Sequence, residues 1–478
     1  MSISWPTNVD LLDVIGPWLY QQRWFPGSEG DAVRLVANLD LTAFSVPPRS
    51  ASAPAQAPAH RVSAESEFSP SPSDPASESG AEHPHMEPVW ISFVEVGDTL
   101  LQLPLAYREF APETGVIAQV EDGWLVDGPN DELFLRTWLR YALSQGAISP
   151  LQPEAATGLA QRLDRQISDA HSLGAEQSNT SVLLPGKQPC VVKFIRVLHP
   201  GTHPEVEMAV ALGEQGWPHV PTPLVALETT LPDSGWGNTP VALSVASEFI
   251  SNARDGFELC VERARQGDDF CHQASSLGGT IRSLHETLGK AFAPAVSDTE
   301  VSQRAQALAA RIHANFAAAA AEVPQLRDFE GSETLEATID QVASLPVLPQ
   351  AIRIHGDLHL GQTLERDDHW WVLDFEGEPL RPLSQRREPD LALRDVAGML
   401  RSFDYAAAKA GMDESWLHRV REAFLSGYCL GQELSAEQRV LLRALEIEKA
   451  AYEAVYEHRL RPQWVSIPLR ALSKLAGQ

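Results

Sequence analysis

Apolar and polar residues alternate with a period of two in several short segments of the first half of the chain. This alternation, together with many β-branched residues, is typical of β-strands. Helices are predicted from Val9 to Gln22, from Asp131 to Ser144 and from Pro204 onward. The predicted strands are AVRLVANLDLTAF, VWISFVEVG, TLLQLPLAYR, Thr180 to Leu184, Cys190 to Ile195, and Val241 to Phe249. The first half is therefore predicted to be rich in β-structure.

From Gly256 onward the apolar residues recur mostly at helical spacing. Clear examples are SSLGGTIRSLHETLGKAF, DVAGMLRSFDYAAAKAG and RALEIEKAAYEAVYEHRL. The stretch RIHGDLHLGQTLERDDHWWVLDFEGEP interrupts them, with short strands predicted at IRI, QTLE and WWVLDFE and a tight turn from Arg366 to His369. A β-rich unit followed by a helical unit predicts an α+β, two-lobed protein-kinase-like fold.

Residues 45–88 differ in composition from the rest of the chain, because Pro, Ser, Ala and Glu dominate and aromatic residues nearly vanish. Such a segment cannot bury enough apolar surface to offset its ordering entropy. We interpret it as a disordered insertion inside the first domain.

The chain is acidic, with 64 Asp and Glu against 37 Lys and Arg and a formal net charge of −27. This charge opposes a nucleic-acid or membrane partner, because both require clustered Lys and Arg. No apolar stretch of membrane-spanning length or secretion-signal pattern is found. The four cysteines form no C-x-x-C pair, which favours reduced thiols. We therefore expect a cytoplasmic protein.

Lys193 lies in the middle of the predicted strand VVKFI, so its side chain points away from its two apolar neighbours. The helix that follows carries Glu205 and Glu207 about a dozen residues later. A strand lysine paired with a helix glutamate over nucleotide phosphates is the arrangement of kinases. We predict Glu207 as the partner, because it lies further inside the helix.

The segment GAEQSNTS forms a small polar turn just before the lysine strand. The backbone and side chains of Ser178, Asn179 and Thr180 could contact phosphates there. A plain polar hairpin explains the segment equally well, and the Walker pattern G-x-x-x-x-G-K-[ST] does not occur.

The interrupting hairpin returns Asp374 close to Gln362 and Asp357. Phosphoryl transfer requires a base that orients a hydroxyl and hard oxygen ligands for magnesium, and these three side chains supply both. The G-D-x-H start is also found in metallophosphoesterases, which use two metals. Their further motifs G-D-x-x-D-R and G-N-H-[DE] do not follow Asp357, which disfavours this alternative.

With these residues in place, the chain resembles the aminoglycoside-phosphotransferase-like kinases and, among them, the bacterial maltokinases. The matching pieces are QQRWFPG, GAEQSNTSV, HPGTHPEVE, HGDLHLGQ, DFEGEPLRPL, RDVAGMLRSFDYAA and EKAAYEAVYEHRLRPQWVSIPL, in order along nearly the whole chain. The resemblance implies an N-terminal cap subdomain over residues 1–135, an ATP-binding intermediate subdomain over 136–250 and a mainly helical C-lobe over 251–478.

The resemblance also implies an activity, the transfer of the γ-phosphate of ATP to the anomeric hydroxyl of maltose for α-glucan synthesis. Asp357 would be the catalytic base, Gln362 and Asp374 would bind Mg²⁺, and Lys193, oriented by Glu207, would hold the phosphates. The related glucosamine kinases share these motifs and phosphorylate the 6-hydroxyl of glucosamine, so this acceptor stays open. A kinase fold that binds without catalysis is disfavoured, because all the motif residues are present.

The C-terminal helical segment places polar and aromatic residues at i, i+4 and i+8 spacings. We predict a sugar-binding platform, in which tyrosines stack on the sugar and carboxylates bind its hydroxyls; a solvent-exposed helix with Glu–Lys pairs is the alternative. The carboxylates would equally suit an ammonium group. We expect a monomer. The predicted sugar-binding residues are Asp404, Tyr405, Glu448, Tyr452, Glu453 and Tyr456.

Overall fold

A computed structural model describes residues 10–28, 30–45, 87–144, 165–175, 179–292, 300–378 and 383–477. Nearly all of the predicted insertion at 45–88 lies outside these residues, as does Ser178. The strands are β1 Val33–Asp40, β2 Val89–Val96, β3 Thr99–Arg108, β4 Val116–Val120, β5 Gly123–Asp127, β6 His171–Ala175, β7 Asn179–Leu184, β8 Cys190–Ile195, β9 Val197–Leu198, β10 Pro223–Thr230, β11 Pro240–Glu248, β12 Arg254–Asp255, β13 Thr363–Arg366 and β14 His369–Val372.

Helices make up most of the second half of the described chain, and some lie in the first half. They are α1 Leu11–Leu19, α2 Glu132–Ser144, α3 Pro204–Glu214, α4 Gly256–Arg265, α5 Cys271–Ala291, α6 Val301–Glu322, α7 Pro324–Arg327, α8 Ser332–Ala343, α9 Leu383–Arg386, α10 Ala392–Ala410, α11 Glu414–Tyr428, α12 Ala436–Leu460 and α13 Ser466–Leu475.

The first sheet has six strands in the order β1-β2-β3-β5-β4, with the short β9 paired to β3. Both faces of β2 are buried, since Trp90 and Val94 pack in a core with α1, while Ile91 and Phe93 pack in a second core. Successive side chains of a strand point to opposite faces, so one strand can serve two cores. This explains why β2 is almost continuously apolar.

The second sheet has five strands in the order β10-β11-β8-β7-β6. Helix α2 packs on this sheet, because Trp138 lies edge-on against Phe194 and donates a 2.8 Å hydrogen bond to the Ser244 hydroxyl. Trp138 also shares the core that contains Ile91 and Phe93 of the first sheet. Val192 and Phe194 belong to this core. The alternation of β8 therefore turns Lys193, which lies between them, toward the opposite face.

The helical half forms one large hydrophobic core that also covers the hairpin β13–β14. Helices α5 and α11 approach each other closely at Gly278 and Gly427, where an added Cβ would collide with backbone atoms of the facing helix. The three-stranded sheet β12-β13-β14 lies at the edge of this half, facing the second sheet across a cleft. The architecture is the predicted two-lobed α+β fold.

The local patterns predicted most of these elements within a few residues. The predicted IRI strand is wrong, since Ile352 makes only a single bridge, with Asp390. The strands β4, β5, β6, β9, β10 and β12 were not predicted. In the ranges that the structure covers, every helix is too short or too polar to cross a bilayer.

Candidate active site

A cavity of about 560 Å³ lies in the cleft between the second sheet and the β13–β14 hairpin. One part of its wall is apolar and the other is polar. The apolar part includes Val191, Ala209, Val245, Phe249, Ile250, Leu364 and Val372, and the polar part includes Asn179, Ser181, Lys193, Glu205, Asp357, Gln362, Asp374 and Glu376. A flat apolar heterocycle and a charged tail would fit the two parts.

Lys193 is buried and surrounded by three carboxylates. Its Nζ lies 2.9 Å from Glu205, 3.1 Å from Asp374 and 2.6 Å from Glu376. Burial raises the pKa of Glu205 to about 8 despite the lysine. At Glu376, burial opposes ionisation, but the charges of Lys193 and His203 together with hydrogen bonds to the carboxylate outweigh it and lower the pKa. Even with Glu205 protonated, one ammonium faces the two carboxylates of Asp374 and Glu376, so this group of four residues, which we call the Lys193 cluster, carries surplus negative charge.

The three carboxylates of the Lys193 cluster also suit a divalent cation. Glu205, Asp374 and Glu376 can each place an oxygen within 4.8 Å of the other two. Hard cations such as Mg²⁺ prefer oxygen ligands of this kind. Because the surplus negative charge would be relieved by a cation, these residues fit the magnesium site that the sequence predicted around Asp374.

The prediction that Glu207 pairs with Lys193 is wrong. Glu207 binds Arg353 at 2.8 Å and Arg387 at 2.7 Å, while Glu205 reaches Lys193. Residues two positions apart on a helix point to different sides, so only one of the two glutamates can face the cleft. Glu205 and Ala209, which lie one turn apart on α3, line the cavity, so this face of the helix selects Glu205.

The polar turn before the lysine strand is only partly described. Asn179 donates a 3.0 Å hydrogen bond to Glu376, so it faces the cleft. The Thr180 hydroxyl instead accepts a hydrogen bond from Arg196, which forms a buried ion pair with Asp127. The Thr180 hydroxyl is thus engaged within the N-terminal half, and the predicted phosphate contact of Thr180 stays a prediction.

The loop before Asp357 is fixed by Asp395 from α10. Its carboxylate accepts hydrogen bonds from the backbone N–H of His355 at 2.8 Å and of Gly356 at 2.9 Å, and from the His285 ring at 3.0 Å. His355 in turn contacts the carbonyl of Leu373 through Nε2 at 2.8 Å. The loop is thus tied both to a helix and to the returning strand.

The hairpin brings Gln362 and Asp374 together, as the sequence predicted. Its two-residue turn, Asp367 and Asp368, has positive φ at both positions, which matches the twist of the strands. The Gln362 amide nitrogen donates to Asp374 at 3.0 Å, so binding of a cation through Gln362 requires its amide oxygen. Asp374 itself has φ of 58°, a strained conformation that is common at functional sites.

Asp357 lies at the rim of the cavity and contacts Lys449 of α12, with 3.0 Å between its Oδ1 and Nζ. Lys449 also binds Glu378 at 2.8 Å. Burial opposes ionisation of Asp357, but the charge and hydrogen bond of Lys449, together with the rings of His359 and His355, outweigh it and lower the pKa below its ordinary value. Asp357 is therefore an ionised carboxylate. We call this group the Lys449 cluster.

Two further cavities, of about 360 and 320 Å³, adjoin the Lys449 cluster. They share Asn315, Glu378 and Arg394, and we call them together the acceptor groove. Glu448 and Tyr452 line the second cavity, as expected for part of the predicted platform. The Glu448 carboxylate is paired with Arg394 at 2.9 Å and with Asn315 at 2.6 Å.

The rest of the predicted platform lies in a different network around the fully buried Arg401. Arg401 pairs with Asp404 and with Glu453, the latter at 2.7 Å. The Tyr405 hydroxyl donates to Glu457 at 3.1 Å. These bonds lie within α10 and between α10 and α12, and the predicted sugar contacts of Asp404, Tyr405 and Glu453 stay predictions.

Tyr456 lies one turn beyond Tyr452 on α12, where the guanidinium of Arg461 covers its ring at 5.3 Å. Sequence reasoning missed Glu376 and the role of Lys449. The acidic run DFEGE was a signal for Glu376.

Comparison with known proteins agrees with this fold. No family model matches the chain. A glucosamine kinase of Mycolicibacterium smegmatis is 28% identical over 330 residues, which are 63% of this chain and 78% of the relative. A glucosamine kinase of Streptacidiphilus jiangxiensis is 26% identical over 355 residues, 67% of this chain and 76% of the relative.

Solved structures show the same architecture. A glucosamine kinase in complex with glucosamine, ADP and inorganic phosphate aligns with a TM-score of 0.58 and 21% identity, over 98% of this chain and 100% of the other. A glucosamine kinase in its crystal form A aligns with a TM-score of 0.58 and 19% identity, over 98% of this chain and 99% of the other. The protein has the two-lobed fold of the aminoglycoside-phosphotransferase-like kinases. It is an ATP-dependent phosphotransferase with an alcohol group as acceptor, of the sugar kinase type.

Proposed function

We propose that the protein is a glucosamine kinase, which transfers the γ-phosphate of ATP to the 6-hydroxyl of glucosamine. The observation that carries this proposal is that two curated relatives, each aligned over more than three quarters of its own length, are glucosamine kinases. The sequence had led us to expect maltose as the acceptor, and we now prefer the amino sugar. Maltose is the alternative acceptor in the test described below.

The chemistry of the acceptor groove supports an amino sugar. Glu378 and Glu448 present buried carboxylates there, and the Tyr452 ring lies beside them. Carboxylates bind both sugar hydroxyls and an ammonium group, and aromatic rings stack on the apolar face of sugars or attract cations. A neutral disaccharide would not use the capacity of the carboxylates and of the ring to bind a cation.

On the nucleotide side, we assign the apolar wall of the 560 Å³ cavity to the adenine ring and Lys193 to the phosphates. Glu205, rather than Glu207, orients Lys193. Asp374, with Glu376 and Gln362, would hold Mg²⁺. When bound, the metal would neutralise charge on the phosphate oxygens.

Asp357 is assigned as the catalytic base. Its carboxylate accepts the proton of the acceptor hydroxyl, the hydroxyl oxygen forms a bond to the γ-phosphorus, and the bond from that phosphorus to the bridging oxygen breaks. ADP leaves with the electron pair of the broken bond. The low pKa of Asp357 keeps the base ionised before the acceptor arrives.

The test is an ADP-release assay with ATP and MgCl₂ on glucosamine, N-acetylglucosamine, glucose and maltose in parallel. We expect glucosamine to give the highest kcat/KM, and acetylation of its amine to lower kcat/KM at least tenfold, because a buried carboxylate then loses its ammonium partner. Equal rates on glucosamine and N-acetylglucosamine would contradict a role for the amine. We further propose that the protein is a cytoplasmic monomer. Size-exclusion chromatography with light scattering measures its oligomeric state.

A further inference from the structure

Lys449 is the side chain that joins the nucleotide cavity to the acceptor groove. Its Nζ lies 3.0 Å from Asp357, which lines the nucleotide cavity, and 2.8 Å from Glu378, which lines the acceptor groove. The Tyr452 ring lies 5.0 Å from the same nitrogen. Only 16% of the Lys449 side chain is exposed, so these contacts are its environment.

Packing alone does not explain a lysine at this position. The next buried positions of α12, Ala450, Ala451 and Ala454, are small and apolar. Taking an ammonium out of water costs several kcal/mol, and an apolar residue of the same volume is often as stabilising as a buried ion pair. Replacing Lys449 alone would leave Asp357 and Glu378 without their cation, so the reason for a charge lies in the two carboxylates that it contacts.

We propose that Lys449 is a positioning residue for phosphoryl transfer, which aims the carboxylate of Asp357 at the acceptor hydroxyl. The inference rests on the proposed role of Asp357 as the base. Lys449 holds Oδ1, and a carboxylate has a second oxygen, Oδ2, which is then the one that receives the proton. Without Lys449, the carboxylate would lose the hydrogen bond that fixes its orientation.

The contact with Glu378 extends this role to the acceptor. Glu378 is 6% exposed and lies in the wall that both parts of the acceptor groove share. Since one ammonium binds both carboxylates, a sugar that displaces or orders Glu378 also changes the position of the group that holds Asp357. Lys449 thereby couples a correctly bound acceptor to the aim of the base.

The test compares Lys449→Met, which keeps the length of the side chain and removes its charge, with the wild type. We expect kcat to fall about 100-fold, in the range of general-base effects, while KM for ATP changes less than twofold. Lys409→Met is the matched control, because Lys409 forms a half-exposed pair with Glu258 on the far end of α10, and its kcat should be unchanged. A kcat of Lys449→Met within twofold of the wild type would overturn the proposal.

Two further variants separate positioning from folding. Lys449→Ala should regain at least tenfold in kcat when ethylammonium is added, whereas a merely structural role predicts no rescue. If neither uncharged variant folds, Lys449→Arg is the test. The planar guanidinium of arginine does not reproduce the contacts that one ammonium makes with Asp357 and Glu378, so kcat should fall about tenfold. An unchanged kcat there would overturn the proposal.

The measurements use whichever acceptor the wild type phosphorylates. If glucosamine is not that acceptor, the proposed function fails while the role of Lys449 is still tested. If glucosamine is the acceptor and the Lys449 variants keep their kcat, the inference alone fails.

Discussion

The two faces of the active site are built from the same residue types in different proportions. On the nucleotide side, Lys193 contacts three carboxyl groups, and burial, reinforced by the charges of Glu376 and Asp374, raises the pKa of Glu205 to about 8. On the acceptor side, Lys449 contacts two, and the pKa of Asp357 is lowered. The three acids around Lys193 suit a metal-bound nucleotide, whereas the ammonium of Lys449 helps to keep a base ionised on the other side.

The largest expected effect comes from breaking the acceptor side. Asp357→Asn keeps the shape of the side chain and removes the base, so kcat should fall at least 1,000-fold, near the upper part of the general-base range. Nucleotide binding by calorimetry should stay within about twofold. The control is Asp367→Asn, in the exposed turn of the same hairpin, which should keep wild-type kcat. Near-normal turnover of Asp357→Asn would contradict its assignment as the base.

Breaking the nucleotide side should affect binding as well as turnover. Asp374→Asn removes a proposed metal ligand, and we expect kcat to fall about 100-fold together with a loss of the Mg²⁺ dependence of ATP binding. Calorimetric titrations with ATP in MgCl₂ and in EDTA measure this dependence. If the variant bound Mg-ATP as tightly as the wild type, the metal would lie elsewhere.

The two neighbouring glutamates of α3 sharpen the comparison. Glu207→Gln weakens the link to Arg353, whose side chain is 7% exposed, so the free energy of unfolding should fall by about 1–3 kcal/mol with little change in KM for ATP. Glu205→Ala should instead raise KM for ATP, because it no longer orients Lys193. Denaturant unfolding and steady-state kinetics separate the two outcomes; the reverse pattern would restore the sequence-based choice of Glu207.

The order of elements and the two-lobed fold were predictable because the periods of strands and helices are local properties of the sequence. The positions of Asp357, Gln362 and Asp374 were predictable for the same reason, since one short hairpin carries all three. Which glutamate of α3 faces Lys193 depends on the rotation of the helix against the sheet, which is set by tertiary packing. Spacing alone therefore chose Glu207 wrongly.

Lys449 shows a second limit of the sequence. It is separated from Asp357 by 92 residues, and a lysine on a polar helix face is usually exposed to solvent. The predicted platform was divided for a related reason: Asp404, Tyr405 and Glu453 fit the spacing of a binding face, but they are drawn to Arg401 and Glu457 inside the helical half. Only the packed structure shows which polar residues face a groove.

The smallest expected effect concerns pH. Asp357 has its pKa lowered from 3.8 and is faced by Lys449 of α12, Arg386 of α9 and the rings of His355 and His359. The ionised carboxylate therefore stabilises the fold above pH 3.8, and this contribution is lost as the pH falls through the lower folded value. The difference in unfolding free energy between wild type and Asp357→Asn should shrink on acidification. A difference that grows would contradict the lowered pKa.

The measurement that tests the central claim most directly is a competition between acceptors. Glucosamine and maltose at equal concentration are incubated with the protein, ATP and MgCl₂, and the products are resolved by ³¹P and ¹H NMR. We predict that phosphate appears on C6 of glucosamine. Phosphate on the anomeric carbon of maltose, or on neither sugar, would contradict the proposal.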